Sequence, residues 1–323
     1  MWKYLTKEAE IKYLLSIHLI DGTSDKDILN KIYTISNNKE KNYKIYKIKK
    51  KNGHYRTIYA PKPNLLIIQK NILKNILEKR SISKYARAYK KGITLVDNAK
   101  EHLNKKIILK LDIKDFFNSI QYIQIYNTCF PQELFPKSIG TLLTNLCTCY
   151  DILPQGAPTS SYISNLVMYN FDIIIGTFCD SRNIAYTRYC DDMTFSGDFD
   201  YHEIINLVKQ ELTKLNLSLN MKKIHVITQK SRQIVTGVVV NKKLQVAKYY
   251  RQEIRKNVYY IKKYGLISHL GRTNNKMAPV TYLNTLLGKI NYVLQIDKSN
   301  KEFINYKKEI LKTIKNIHNK KII

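Results

Sequence analysis

Two adjacent carboxylates, Asp191 and Asp192, interrupt a run of β-forming residues, with Tyr186, Thr187, Arg188 and Tyr189 before them and Met193, Thr194 and Phe195 after. Asp is a poor strand residue, so the pair belongs at the tip of a hairpin, where it is either a plain turn or a site. About eighty residues earlier, KKIILKLDI reads as a continuous apolar strand that arrives at Asp112. If the two strands lie side by side, three carboxylates converge at one edge of a sheet and repel one another unless cations lie between them. Hard Mg²⁺ prefers oxygen ligands and keeps waters and substrate phosphates in its shell. Two such ions about 3.5–4 Å apart stabilise the attacking and leaving oxygens of an in-line phosphoryl transfer. Each carboxylate alone reads equally as a turn residue. Together they point to metal-dependent nucleotidyl transfer.

The charge balance supports that reading. The 323 residues carry 55 Lys and Arg against 25 Asp and Glu, a formal net charge of +30. Such an excess repels itself, and a polyanion partner neutralises it. Only nine of the 55 are Arg, so a general Lys bias is the plainer explanation, but the distribution is uneven. Residues 241–323 hold 19 Lys and Arg against 4 Asp and Glu, which is half of the net charge. A nucleic-acid partner is expected, and the 25 Tyr beside one Trp fit stacking on bases among lysines. The five Cys are odd in number and lack zinc spacing, so buried reduced thiols are expected. The N-terminal MWKYLTKEAEIKYLL carries charges throughout, unlike a signal peptide. No apolar run reaches the ~18 residues of a membrane span, so the expected location is the cytoplasm, away from membranes.

Patterning along the chain predicts a short amphipathic helix over 6–19 and a hairpin around Asn52-Gly53 that ends at Pro61. A helix follows over NLLIIQKNILKNILEK, then the strand to Asp112, a helix over 137–149, and one apolar helix from Thr159 to Phe178. After the aspartate hairpin, Asp200 and Glu203 suit a capping box before IINLVKQELTKL. IHVIT and IVTGVVV read as short strands, and the remainder is helical and basic. The expectation is an α+β sheet with helices on one face, in three parts with boundaries at 1–105, 106–240 and 241–323.

At this point the residues resemble a family. Tyr189-Cys190-Asp191-Asp192 is similar to the Y-x-D-D box of reverse transcriptases, and LDIKDFF (111–117) resembles their first catalytic aspartate motif. LPQGAPTS (153–160), RTIYAP (56–61) and LNMKKI (219–224) resemble the family's nucleotide-flanking loop, fingers strand and lysine-bearing segment. Asn98-Ala99-Lys100-Glu101-His102 and Val235-Thr236-Gly237 match the N-A-x-x-H and V-T-G signatures of bacterial retron enzymes. Without the resemblance, these two would be an ordinary helix segment and a strand with a bulge. Departures are Cys190 where Ala is commoner, Met193-Thr194 where an aliphatic is usual, and Ile224 where Thr often follows the lysine. None removes a carboxylate.

The resemblance implies a right-hand polymerase, with an N-terminal helix and fingers (1–105), a palm (106–240) and a basic helical thumb (241–323). It implies two Mg²⁺ ions, or Mn²⁺, on Asp112 and Asp191, with the Ile113 carbonyl as a further ligand and Asp192 in support. Phe117 would close over the sugar 2′ position, so that the product is DNA. Gln155 and Gly156 would border the incoming deoxynucleoside triphosphate, Arg56 and Lys62 would hold its phosphates, and Lys223 is either an acid toward pyrophosphate or plain surface charge. Asn98, His102, Val235, Thr236 and Gly237 are candidate RNA contacts. On a helix over 247–263, Lys248, Arg251, Arg255 and Lys262 share a stripe suited to phosphates, beside a packing stripe of Tyr250, Ile254, Val258 and Ile261. A solvated face is the alternative.

A retron enzyme binds its own structured noncoding RNA, primes from a 2′-OH within it and copies part of it into DNA that stays attached. It commonly acts with a separate effector protein in phage defence. Three alternatives stand beside this reading: a reverse transcriptase of intron or diversity-generating type, a catalytically silent RNA-binding scaffold, and a nucleotide cyclase.

Overall fold

In the computed structural model, residues 6–50 and 53–319 are described, and they fall into two compact units. The first unit comprises Met1–Gly92, Leu109–Phe195 and Phe199–Val226; the second comprises Ile93–Ile108, Ser196–Asp198 and Ile227–Ile323.

The first unit opens with helices Lys7–Ser16 and Asp25–Asn37, whose N-caps Thr6 and Ser24 accept from the amides of Ala9 and Asp27. Strands β1 (Tyr43–Lys49) and β2 (Tyr55–Pro61) pair antiparallel, with Tyr43 opposite Pro61 and Lys49 opposite Tyr55. Gly53 supplies a positive φ of 85° at the tip; Asn52, the other expected turn residue, lies outside the described residues. Helix Pro63–Asn75 starts on proline, whose fixed φ suits a first turn, and buries Leu65, Ile68 and Ile72.

The central sheet has the order β4-β5-β3-β6, formed by β3 (Ile107–Asp112), β4 (Ala185–Tyr189), β5 (Asp192–Gly197) and β6 (His225–Thr228). Its apolar residues, among them Leu109, Leu111, Met193 and Phe195, join one core with Leu143 and Leu146 of helix Lys137–Cys147 and with Val208 and Leu212 of helix Tyr201–Lys214. Each fully buried Leu, Ile or Phe contributes about 1.5–3 kcal/mol. All five cysteines are buried thiols.

Two local expectations are revised. The apolar stretch from Thr159 is two helices, Ser160–Val167 and Tyr169–Asp180, joined at Met168 with ψ 2°. Just before the joint, the Ser164 hydroxyl donates to the Ser161 carbonyl at 2.8 Å, a local bond that bends helices. Ahead of helix Tyr201–Lys214, Asp200 accepts from the His202 amide at 2.9 Å, but Glu203 faces Arg182 at 3.5 Å and does not complete a capping box.

In the second unit, helix Leu95–Lys100 starts on a Thr94–Asp97 capping box. Strands β7 (Ile234–Val235), β8 (Val238–Val239) and β9 (Gln245–Val246) form a small antiparallel sheet. Helices Lys248–Tyr264, Leu266–Arg272, Pro279–Ile296 and Lys301–Asn319 follow, and Ile254, Val258 and Ile261 pack with Leu283, Ile290, Val293 and Phe303. The V-T-G stretch is a two-residue hairpin turn, not a bulge, with φ of 45° at Thr236 and 86° at Gly237.

Candidate active site

The interior strand β3 ends on Asp112, and the β4–β5 hairpin brings Asp191 in its turn and Asp192 at the start of β5 beside it. Cys190 takes a left-handed φ of 63°, which turns the chain tightly enough to present both aspartates. The Ile113 amide donates to the Asp191 carbonyl at 3.1 Å, so the two aspartate-bearing segments are fastened to each other through the backbone. Asp112 is buried, at 6 % exposure, and both its carboxylate oxygens are engaged. Asn220 donates to Oδ1 at 3.2 Å, and Lys223 donates to Oδ2 at 2.7 Å from the short 3₁₀ turn Met221–Lys223.

Electrostatics follow from this crowding. The hydrogen bond to Asp112 raises the Lys223 pKa above its ordinary value, and the nearby charges of Asp191 and Asp192 add to the effect. Loss of water raises the Asp192 carboxyl; the like charges of Asp191 and Asp112 raise it further, against partial offsets from Lys110 and Lys223. Burial, then Asp191, pushes the Cys190 thiol up to about 12, so it stays protonated and unreactive near neutral pH. Asp112 and Asp191 lie close enough to Asp192 for their charges to act on it, and carboxylate oxygens are the donor type that a hard divalent cation takes. Among the described residues no group of three or more Asp, Glu, His or Cys side chains is gathered closely enough to hold a metal ion, and the Lys223 ammonium supplies the local counter-charge at Asp112.

Next to the turn is a pocket of about 350 Å³, lined in part by Tyr89, Phe117, Gln155, Gly156, Ser160 and Ser161. Its floor is pinned from two sides. The Ser160 hydroxyl donates to the Pro154 carbonyl at 2.6 Å, and the Tyr59 amide of β2 donates to the Gln155 carbonyl at 2.9 Å. Gly156 has φ 119°, and a Cβ there would lie 2.8 Å from Ile58 Cγ2. Phe117 is half-buried, with its ring edge-on to Phe116. Tyr89, also at positive φ, donates its hydroxyl to Cys190 Sγ at 3.4 Å and so ties the pocket wall to the aspartate turn. Arg56 and Lys62 are exposed, three residues to either side of Tyr59 on β2 and its exit.

Sequence reasoning missed Tyr89, Asn220 and, most of all, Arg188. The Arg188 side chain is fully buried and forks onto Asp172, with Nε 2.8 Å from Oδ1 and Nη2 2.7 Å from Oδ2. The signals available were an arginine inside an apolar strand and an aspartate inside an apolar helix.

The expected RNA contacts in the second unit need correction. Asn98 is 1 % exposed, and His102 and Val235 are 0 % exposed, which leaves them no surface for RNA. They hold the unit together instead. Asn98 donates to Thr236 Oγ1 at 3.4 Å, Thr236 donates to the Leu95 carbonyl at 3.2 Å, and His102 Nδ1 lies 2.7 Å from Ser196 Oγ. The first two bonds brace the left-handed Thr236, and only Thr236 and Gly237 of the set reach the surface. The basic stripe on helix Lys248–Tyr264 is also partly committed. Arg255 forks onto Glu302 at 2.7 and 2.6 Å, Lys262 meets Glu309 at 3.2 Å, and Arg251 donates to Gln245 at 3.2 Å, while Lys248 is exposed.

Residues 48–283 match the family described as reverse transcriptase (RNA-dependent DNA polymerase). The chain is 29 % identical to the retron Ec86 reverse transcriptase of Escherichia coli, over 82 % of this chain and 80 % of that protein. It is 31 % identical to the retron Ec83 reverse transcriptase of Escherichia coli, over 76 % of this chain and 81 % of that protein. With the retron Se72 reverse transcriptase of Salmonella heidelberg it shares 33 % identity, over 69 % of this chain and 62 % of that protein.

Proposed function

The chain belongs to the reverse transcriptases, and among them to the bacterial retron enzymes, and from that premise we propose that it binds a cognate structured noncoding RNA and copies part of it into single-stranded DNA primed from an RNA 2′-OH. It is an RNA-directed DNA polymerase with the right-hand architecture of its family. The observation that carries the site assignment is the fastening of Asp112 and the Asp191-Asp192 turn side by side, next to the pocket lined by Phe117, Gln155 and Gly156.

The family uses divalent metal ions, and we assign Mg²⁺, as two ions with Mn²⁺ as substitute, to Asp112 and Asp191, with the Ile113 carbonyl and Asp192 in support. Such ions neutralise the triphosphate and favour the attacking oxygen as an anion. The protein's own groups do the rest. Arg56 and Lys62 hold the phosphates through charge-assisted bonds. Gly156 lets the backbone approach the nucleotide closely, with Gln155 beside it. The Phe117 ring fills the space that a ribose 2′-OH would need. Lys223, kept protonated by Asp112, can deliver a proton to the departing pyrophosphate.

In this reading fingers, palm and thumb occupy 1–105, 106–240 and 241–323. Lys248, with Arg251, Arg255 and Lys262 when they are released from their acidic partners, grips RNA phosphates. The product is a DNA joined to RNA, and a separate effector protein completes a phage-defence system. No described helix is long and apolar enough to cross a membrane, and we place the enzyme in the cytoplasm.

The test is purification from the native host locus followed by nuclease analysis of copurifying nucleic acid, for wild type and for an Asp191→Asn/Asp192→Asn variant. A short DNA covalently joined to RNA in wild type, and RNA alone in the variant, is the expected result. The same RNA and no DNA in both, even after addition of Mg²⁺ and deoxynucleotides, would overturn it in favour of a binding scaffold.

A further inference from the structure

Arg188 is fully buried, and its guanidinium meets four acceptor atoms on three residues at once. Nε and Nη2 fork onto the buried Asp172, Nη2 also donates to Asn165 Oδ1 at 3.2 Å, and Nη1 donates to the carbonyl of Cys190 at 2.9 Å. Cys190 is the left-handed residue that makes the aspartate turn possible. Asn165 in turn donates to the Ala88 carbonyl at 3.0 Å, while the Arg188 backbone exchanges bonds with Tyr85 and Arg87. Segment 85–89 is thereby held beside β4, and it ends on Tyr89, the pocket wall that bonds Cys190.

A buried ion pair is weak evidence for stability, because apolar residues of similar volume often replace one at no cost. An apolar residue at 188 could fill the space. It could not donate to the Cys190 carbonyl. We infer that Arg188 is a positioning residue for nucleotidyl transfer, which sets the aspartate turn through the Cys190 carbonyl and the facing pocket wall through segment 85–89, with Asp172 and Asn165 orienting its fork. Lysine keeps the charge but cannot reach Asp172, Asn165 and Cys190 in one plane.

The test compares wild type, Arg188→Lys and a double Arg188→Met/Asp172→Leu variant as full chains, on a primed RNA template with deoxynucleotides. Rates are normalised to active sites, and melting is followed in parallel. In Arg188→Lys, kcat per active site falls on the order of 100-fold, as expected for ~1 Å misplacement of reacting groups. The double variant folds, melting below wild type because the Tyr186 hydroxyl and Asn165 Oδ1 lose their partners there, and keeps the loss in kcat per active site. The second readout needs neither metal nor nucleotide. Hydrogen exchange at the Ile113 amide, whose acceptor is the Asp191 carbonyl, speeds at least about tenfold in Arg188→Lys, the rate following the opening equilibrium, while helix Tyr169–Asp180 keeps its protection.

A double variant that folds and whose kcat per active site lies within about threefold of wild type would reduce Arg188 to a packing residue and overturn the inference. Should the double variant not fold, Arg188→Lys decides: wild-type kcat per active site, or loosening of the whole helix together with Ile113, has the same consequence. If wild type does not polymerise, the assignment of activity fails, and the exchange measurement still decides the role of Arg188.

Discussion

Lys223 places its Nζ 2.7 Å from Oδ2 of Asp112, and the two differ sharply in exposure, with the carboxylate side chain at 8 % and the lysine at 57 %. A half-exposed ammonium therefore covers a buried carboxylate that a metal ion would need. The bond and a metal on that oxygen compete for the same lone pairs.

Lys223→Ala removes the competitor. Its expected effect is a several-fold lower Mg²⁺ concentration for half-maximal thermal stabilisation, since the ammonium no longer occupies the Asp112 oxygen that the cation would take. The same variant loses about 10²–10⁴-fold in turnover if the ammonium also acts as acid. A Mg²⁺ titration of Tm without nucleotide separates the two effects. Superimposable curves for wild type and variant would place the metal elsewhere than on Asp112.

Asp191→Asn and Asp192→Asn are predicted to differ. Asp191 shares its backbone contact with the Asp112 strand, and its loss should lower kcat by at least about 10²–10³-fold, the scale of a lost electrostatic stabiliser. Asp192, in a supporting role, should cost less. Steady-state primer extension at saturating Mg²⁺ ranks them, and an equal loss in both would give Asp192 a full share in the chemistry.

Asp192 also sets a stability dependence on pH. Its carboxyl is raised above the ordinary 3.8, so the folded chain holds that proton more tightly than the unfolded chain does. The contribution therefore favours folding below pH 3.8 and is lost as pH rises through the raised value. At neutral pH the ionised Asp192 works against the fold, and water on its exposed side keeps the effect small. Asp192→Asn should raise the Tm of the metal-free protein slightly at pH 7 and leave it unchanged near pH 3.

The sequence made the short-range parts of the site legible and hid the long-range ones. Asp112 and the aspartate turn announce themselves because each breaks a local pattern, whereas Gln155-Gly156 is read only through the resemblance of LPQGAPTS to the family's loop. Arg188 stands inside the same ten residues, yet its meaning depends on Asp172 and Asn165, in helices that periodicity alone merged into one. Helix Lys248–Tyr264 and its packing stripe were readable from periodicity, but the acids opposite Arg255 and Lys262 come 47 residues later. Asn98 and His102 mislead for a related reason. Polar residues in a recognisable motif suggest a ligand, and nothing local reveals that the Asn98 amide nitrogen and His102 Nδ1 meet Thr236 and Ser196 in the interior.

Phe117 lines the pocket with its ring half-buried. If the ring excludes a ribose 2′-OH, Phe117→Ala should narrow the preference for deoxynucleotides by roughly 10- to 100-fold, the range a shaped apolar contact provides. Competing incorporation of ribo- and deoxynucleoside triphosphates on one template measures it. Unchanged discrimination, with only reduced stability, would return Phe117 to the core beside Phe116.

Gly156 is the position where conformation and contact both forbid a side chain. Its φ of 119° is one that L residues rarely adopt, and a Cβ would lie 2.8 Å from Ile58 Cγ2 and 3.1 Å from the Tyr59 carbonyl oxygen. The side-chain contact can be relieved. The carbonyl belongs to β2, whose Tyr59 amide holds the Gln155 carbonyl, so relief there would pull the loop from the strand. Gly156→Ala is therefore expected to cost about 1–3 kcal/mol in urea unfolding and to raise KM for the deoxynucleotide more than it lowers kcat. Adding Ile58→Ala should recover only part of both losses. Full recovery in the double variant would mean that the Ile58 contact alone excludes a side chain, and that neither the backbone angle nor the Tyr59 carbonyl constrains the loop.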